Sequence, residues 1–237
     1  MSSLKDKVAY ITGGSKGIGY GIAKILLENG MKVAITSRSA SAAQQAAASL
    51  STDPSRVLAL QSDVSSLASE TNAVKAVTEH FGKVDVVIAN AGVGHFASIE
   101  DLTEEQWKTM IDTNLTGVFN TVKASIPSLK QTKGYLFTIA SLAGTNFFLN
   151  GSGYNASKFG LVGFTQAVML DLRKYGIKVT TIMPGSVATY FDDHVPDEND
   201  AWKIQPEDIG QMVADLLHMH PRTLPSKIEV RPTIPGK

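Results

Sequence analysis

The feature that most constrains this chain is an alternation. Short, nearly all-apolar runs each give way to a segment with helical spacing. The runs are Val8 to Thr12, Lys32 to Thr36, Val57 to Gln61, Val84 to Ala89, Gly134 to Ala140, Val179 to Met183 and finally Lys227 to Val230. Helical patterns lie between them: from the glycine-rich stretch through Leu27, about Ala40 to Leu50, Leu67 to Phe81, past Asn114 to about Ile126, Tyr154 to Tyr175, and Pro206 to His218. The fourth of these has its start marked by Thr103, with Gln106 three residues on, the pattern of a capping box. A strand that is apolar at almost every position is covered on both faces, which is the condition of a parallel sheet between helices. Right-handed crossovers then predict an α/β fold, a doubly wound parallel sheet of about seven strands with helices on both faces. A length of 237 residues suits one such domain, 1–237, with a full core.

One long polar insertion interrupts the pattern. Thr189 to Gln205 carries Asp192, Asp193, Pro196, Asp197, Glu198, Asn199 and Asp200, and 190–205 is expected to be a mobile loop over the site. The 22 basic and 22 acidic side chains cancel, which argues against a broad nucleic-acid or anionic-membrane surface. The chain has no cysteine, so disulfides, thiolate metal sites and cysteine nucleophiles are excluded. No apolar run approaches the length of a membrane span, and Met1 to Lys7 lacks a signal-peptide core, so the cytoplasm is the expected location. His218 and His220, two apart, would point different ways on a helix, and no metal is assigned.

The chemistry gathers in Ser141 to Lys158. Tyr154 and Lys158 stand four residues apart where a helical pattern begins (Leu161, Val162, Phe164, Val168, Met169, Leu172), so they share a face of its first turns. A phenol titrates near pH ~10, and a nearby ammonium is expected to draw it down toward the working range. Ser141, at the end of an apolar run, offers a hydroxyl that can hold a carbonyl oxygen. Phe147, Phe148 and Leu149 lie between these groups in a loop otherwise rich in Gly, Asn and Ser. They line a substrate pocket or a subunit contact.

Near the N-terminus, Gly13, Gly17 and Gly19 separate the first strand from the first helix. Residues without a Cβ let the backbone approach a pyrophosphate, whose charge sits on the helix N-terminus. The same residues also read Gly13-Gly14-Ser15-Lys16-Gly17, the nucleophile-elbow pattern of serine hydrolases, with Asp63 or Asp85 and then His194 or His218 as partners for Ser15. That reading leaves Asn114, Tyr154 and Lys158 without purpose.

Taken together, Thr12 to Gly19, Asn90-Ala91-Gly92, Asn114, Ser141, Tyr154-Asn-Ala-Ser-Lys158 and Pro184-Gly185 with Thr189 resemble the short-chain dehydrogenase/reductase family from Lys7 to about Thr189. The resemblance implies a Rossmann-type sheet, a nicotinamide cofactor and hydride transfer between it and a carbonyl or alcohol. It also implies roles. Tyr154 would be the acid/base, Lys158 would tune it and bind the nicotinamide ribose, Ser141 would orient the carbonyl, and Asn114 would link Lys158 to a water relay. Gly13, Ser15, Lys16, Gly17, Ile18 and Gly19 would hold the phosphates, and Asp63 and Val64 would border the adenine. Asn90, Ala91 and Gly92 would line the middle of the cofactor, with Pro184, Gly185, Val187 and Thr189 closing on the nicotinamide. The family further implies a homotetramer, or else a dimer.

Two features refine the expectation. An acidic residue about 20 positions beyond the glycine loop selects NAD. Here that region reads Thr36-Ser37-Arg38-Ser39, and the guanidinium of Arg38, helped by Ser37 and Lys16, points to NADP(H). The C-terminus, Ser226 to Pro235, lacks the glycine-rich signature seen in many 3-oxoacyl-carrier-protein reductases. A general carbonyl reductase is therefore the expected type, with a 3-oxoacyl-thioester reductase beside it. The competing class is a nucleotide-binding regulator that has lost the chemistry.

Overall fold

The computed structural model describes residues 3–234. Seven parallel strands form one sheet: β1 (Val8–Ile11), β2 (Lys32–Ser37), β3 (Val57–Gln61), β4 (Val86–Ala89), β5 (Tyr135–Ile139), β6 (Lys178–Pro184) and β7 (Lys227–Val230). Their order across the sheet is β3-β2-β1-β4-β5-β6-β7, so the winding reverses between β1 and β4. In such a sheet the crevice beyond the strand C-termini at the reversal is where ligands bind. Seven α-helices connect the strands: α1 (Gly17–Glu28), α2 (Ala40–Leu50), α3 (Leu67–Phe81), α4 (Glu104–Ile111), α5 (Gly117–Thr132), α6 (Ser152–Leu172) and α7 (Pro206–His218).

Side-chain alternation along each strand divides the core in two. Ala9, Ile11, Ile35 and Ile88 face a layer built with Ile22 and Leu26 of α1 and Ile209 and Val213 of α7. Val8, Tyr10, Ala34 and Val87 face the other layer, with Val77 of α3, Val122 of α5 and Leu161 of α6. Within that second layer lies a fully buried carboxylate. Glu70 accepts from the hydroxyls of Tyr10, Ser62 and Thr121, at 3.1, 2.6 and 2.8 Å, so the charge is met from three elements. No described helix is long and apolar enough to cross a membrane.

Element boundaries shift by a few residues from the periodic pattern: β4 begins at Val86 rather than Val84, and α6 spans Ser152–Leu172 rather than Tyr154 to Tyr175. The capping box forms as the sequence predicts, Thr103 accepting from Gln106 N–H and Gln106 returning the bond. The helical stretch it opens runs on past Asn114 as predicted, with a π-turn at Asp112–Thr116 between α4 and α5 where the backbone stays helical. Beyond it α5 runs six residues past Ile126, through Pro127. Proline forfeits one backbone hydrogen bond there, and burial of Ser128 and Leu129 against the core carries the helix onward.

Candidate active site

The glycine loop turns at the C-terminal end of β1. Gly13 and Gly17 have φ of +64° and +57°, the left-handed region where a side chain is strained. A Cβ on Gly19 would lie 2.5 Å from the Gly13 carbonyl oxygen and 2.6 Å from Asn90 Nδ2, so this position admits no side chain. The loop is tied to the end of β4 by Thr12 and Asn90. Asn90 Nδ2 donates to the carbonyls of Thr12 and Gly13 (2.9 and 3.1 Å), while Thr12 Oγ1 accepts from the N–H groups of Asn90 and Ala91 (3.0 and 3.1 Å). The result is a bare backbone cradle at the start of a twelve-residue helix, with the loop's Ser15 and Ile18 half-buried and Lys16 exposed. A helix N-terminus so shaped suits the pyrophosphate of a dinucleotide.

Farther along the crevice, α6 begins at Ser152 and sets Tyr154 and Lys158 one turn apart, both buried. Lys158 Nζ lies 5.6 Å from the centre of the Tyr154 ring and donates to Ile139 O at 3.2 Å. Ser141 caps a short 3-10 turn, Leu142–Gly144, and accepts from Ala143 N–H. Asn155 fastens that turn to α6, donating to the carbonyls of Ala143 and Asn146, both at 2.7 Å. Asn114 lies inside the π-turn and is fully buried. Its Oδ1 accepts from Val93 N–H (2.8 Å), and its Nδ2 donates to Val93 O (2.8 Å) and Ser157 Oγ (3.0 Å). A Cβ on Gly92 would stand 3.3 Å from Asn114 Oδ1 and 3.7 Å from Lys158 Nζ, so all three crowd one spot.

The family model described as short chain dehydrogenase matches residues 7–200. An uncharacterized oxidoreductase of Staphylococcus epidermidis is 33% identical over 233 residues, 98% of this chain and 100% of that protein. The chain belongs to the short-chain dehydrogenase family. Among solved structures, an alcohol dehydrogenase from Thermococcus sibiricus complexed with 5-hydroxy-NADP is 32% identical, with a TM-score of 0.90 and 97% of each chain covered. A 3-ketoacyl-(acyl-carrier-protein) reductase from Brucella melitensis complexed with NADH is 28% identical, with a TM-score of 0.89, covering 98% of this chain and 99% of that one. As a member of the family the chain is an oxidoreductase.

The remaining positions named from the short-chain dehydrogenase pattern fall around the same crevice. Asp63 accepts from Ser65 (2.9 Å from its N, 2.7 Å from its Oγ), and Val64, buried, has its carbonyl held by Asn120 Nδ2 at 2.8 Å. Ser37 ends β2, and Ser39 caps α2. Arg38 between them is exposed, and among the described residues no carboxylate lies within 4 Å of it. At the end of β6, Gly185 N–H donates to Val230 O, and Val187 pairs with Ile204. A Cβ on Gly17 would be 3.4 Å from Thr189, which brings the loop after β6 onto the glycine loop. The hydrolase reading fails on geometry. Asp85 holds Val8 N–H at the opposite, N-terminal end of the strands, Asp63 accepts from Ser65, His194 is bonded to Asp200, and His218 ends α7, so among the described residues no hydrogen bond joins Ser15 to any of the four.

One electrostatic expectation is corrected. The sequence predicts that Lys158 lowers the Tyr154 phenol; in the protein alone, burial pushes it up to about 12, with the nearby Ser141 hydroxyl pulling weakly the other way. Burial also brings the Lys158 ammonium down to about 8. Each group is so thoroughly desolvated that this outweighs their proximity.

Around the Tyr154 ring is an aromatic cluster that sequence reasoning named only in part. Phe96, Phe191 and Phe148 lie with ring centres 5.4, 5.7 and 6.5 Å from it. Phe147 does not join them and stacks on Phe159 at 5.3 Å. Phe96, four residues past Gly92, carries the same signal that picked out Phe148, an aromatic in a small-residue loop. Phe191 is masked in the sequence by its acidic neighbours. Those acids are used within the loop: Asp200 is buried, bonded to His194 and to Lys203 Nζ (2.6 Å), which together hold its carboxyl down at about 2.

Proposed function

We propose that the chain is an NADP(H)-dependent carbonyl reductase, with Tyr154 as the proton donor and acceptor. The observation that carries this reading is the pairing of buried Tyr154 and Lys158 beside Ser141, at the strand ends into which the bare glycine cradle opens. The cradle fits a dinucleotide, since Gly13 and Gly17 turn the backbone through the left-handed region and Gly19 packs tightly on Gly13 O and Asn90, leaving the first backbone N–H groups of α1 uncovered by loop side chains at those positions. When bound, the nicotinamide supplies the hydride that reduces the carbonyl carbon.

The chain's own groups do the rest. The Ser141 hydroxyl donates a hydrogen bond to the carbonyl oxygen, and Tyr154 Oη gives that oxygen its proton as negative charge develops. The tyrosinate left behind is stabilised by the Lys158 ammonium and is reprotonated before the next turnover. Asn114, clamped to Val93 and Ser157, fixes the turn that faces Lys158. The aromatic cluster excludes water from the reacting carbonyl. In the oxidative direction the same groups act in reverse.

The cofactor choice rests on Arg38. It is exposed just past β2, with no carboxylate partner among the described residues and the capping Ser39 next in sequence, where a 2′-phosphate would accept bidentate hydrogen bonds. Fluorescence titration with NADPH and NADH tests this: NADPH should bind at least about tenfold more tightly, given about 1.5–3 kcal/mol for a hydrogen bond to a charged group. Arg38→Asp should remove or reverse the preference. Equal affinities in the unmutated protein would show the assignment wrong.

A further inference from the structure

Next to the catalytic cluster runs an open groove of about 650 Å³, formed where the segment after β4 meets the loop before α6. The two segments are joined by a backbone bond, Ala97 N–H to Asn150 O at 3.0 Å. Phe148 belongs to both spaces: its ring faces Phe96 at 5.7 Å and Tyr154 at 6.5 Å, and it also lines the groove. Its neighbours in sequence, Phe147 and Leu149, are 83% and 89% exposed, and Ile99 opposite them is 74% exposed. Phe159 of α6, stacked under Phe147, completes the wall. Among the described residues that line the groove, none carries a charge.

We propose that this groove holds the hydrocarbon tail of the substrate, so that the enzyme acts on carbonyl compounds bearing an uncharged apolar chain. The inference rests on the carbonyl-reductase reading above for the position of the reacting carbon. Three observations favour a small-molecule tail over a second copy of the chain. The feature is an open groove whose volume lies within the size range of ligand pockets. It is continuous with the catalytic tyrosine through Phe148. Its polar lining residues, Ser98, Asn150, Ser152 and Asn155, are all uncharged, so it also lacks the charges that commonly rim a protein contact. The same lack of charge leaves nothing in the groove to meet a phosphate-bearing carrier arm.

The test is a series of unbranched 2-alkanones from 2-butanone to 2-decanone, reduced with NADPH. Full burial of a methylene would raise kcat/KM about fourfold; a groove open on one side should give about twofold for each added methylene over the first four or more. In Leu149→Ser/Phe159→Ser the ratio of kcat/KM for 2-decanone to that for 2-butanone should fall about tenfold, with the mass by light scattering unchanged. A flat series in the unmutated protein, or a gradient that survives in the double variant, would overturn the proposal. So would a drop in assembly mass in the variant, which would assign the face to a subunit contact. Calorimetric titration of the same ketones separates this inference from the reading beneath it. Affinity that rises with chain length without turnover would leave the groove standing and remove the carbonyl-reductase assignment.

Discussion

Asn114→Ala should destabilise the protein well beyond what a single helix residue ordinarily contributes. The side chain is fully buried and makes three hydrogen bonds, two to the backbone of Val93 and one to Ser157. At about 1 kcal/mol net for each bond, the loss is about 3 kcal/mol, because alanine leaves all three partners facing protein. For a domain of this size each kcal/mol moves the melting temperature by about 2–4 °C, so a fall of about 6–12 °C is expected in calorimetry. Ser157→Ala removes one of these bonds to Asn114 and should cost about a third as much in that term. Turnover of Asn114→Ala below its lowered melting temperature should fall as well, since Val93 and Gly92 form the wall beside Lys158. A drop in melting temperature under about 2 °C would refute the reasoning, because it would mean the π-turn holds its shape without the amide.

Tyr154→Phe should keep its fold and cofactor affinity while losing about 10²–10⁴-fold in kcat, the usual reach of a positioned acid or base; near-normal turnover would sink the assignment. Lys158, held at about 8 against an ordinary 10.5, makes the folded state release its proton first, so without cofactor its contribution to stability should rise with pH from about 8 to 10. The stability advantage of Lys158→Met over the unmutated protein should therefore shrink by up to about 3 kcal/mol between pH 7 and pH 10 in urea titrations, and a constant difference would contradict the buried-ammonium account. Phe119, 45% exposed on α5, meets Phe164 of α6 edge-on at 6.3 Å, an apolar outer face suited to a helix-to-helix contact. A dimer or tetramer is expected by light scattering at micromolar concentration, with Phe119→Glu shifting it to smaller species; a monomeric mass for the unmutated chain would oppose this.

Much of the architecture can be read from the sequence because local and global signals agree. The capping box at Thr103 and Gln106 forms as spaced, and the last helix begins and ends at Pro206 and His218, the bounds its pattern predicts. The π-turn at Asp112–Thr116 is invisible by the same means. One extra residue in a helical turn shifts the apolar period too little for a pattern of this length to register. Spacing likewise brings Tyr154, Lys158 and Ser141 to notice, since two share a helix and the third ends a strand. It cannot supply Phe191, which is 37 positions from Tyr154 and reaches its ring only through the path of the loop after β6. Nor can it rank burial against charge. The sequence shows an ammonium beside a phenol, but only the packing shows that both are cut off from water.

The pairing of Val187 with Ile204 bears on how such an enzyme can change. Ala188 N–H donates to Ile204 O and Ile204 N–H to Ser186 O, so the loop after β6 leaves the body and returns to it at one point. A loop closed at its root behaves as an interchangeable cassette. Doubling its length adds only about 0.6 kcal/mol of closure entropy, little enough for wide variation in length and sequence to be tolerated. The cassette carries Phe191 to the Tyr154 ring but contains neither that tyrosine nor Lys158. Selection can thus rewrite what lies over Tyr154 while Tyr154 and Lys158, fixed in α6, stay as they are.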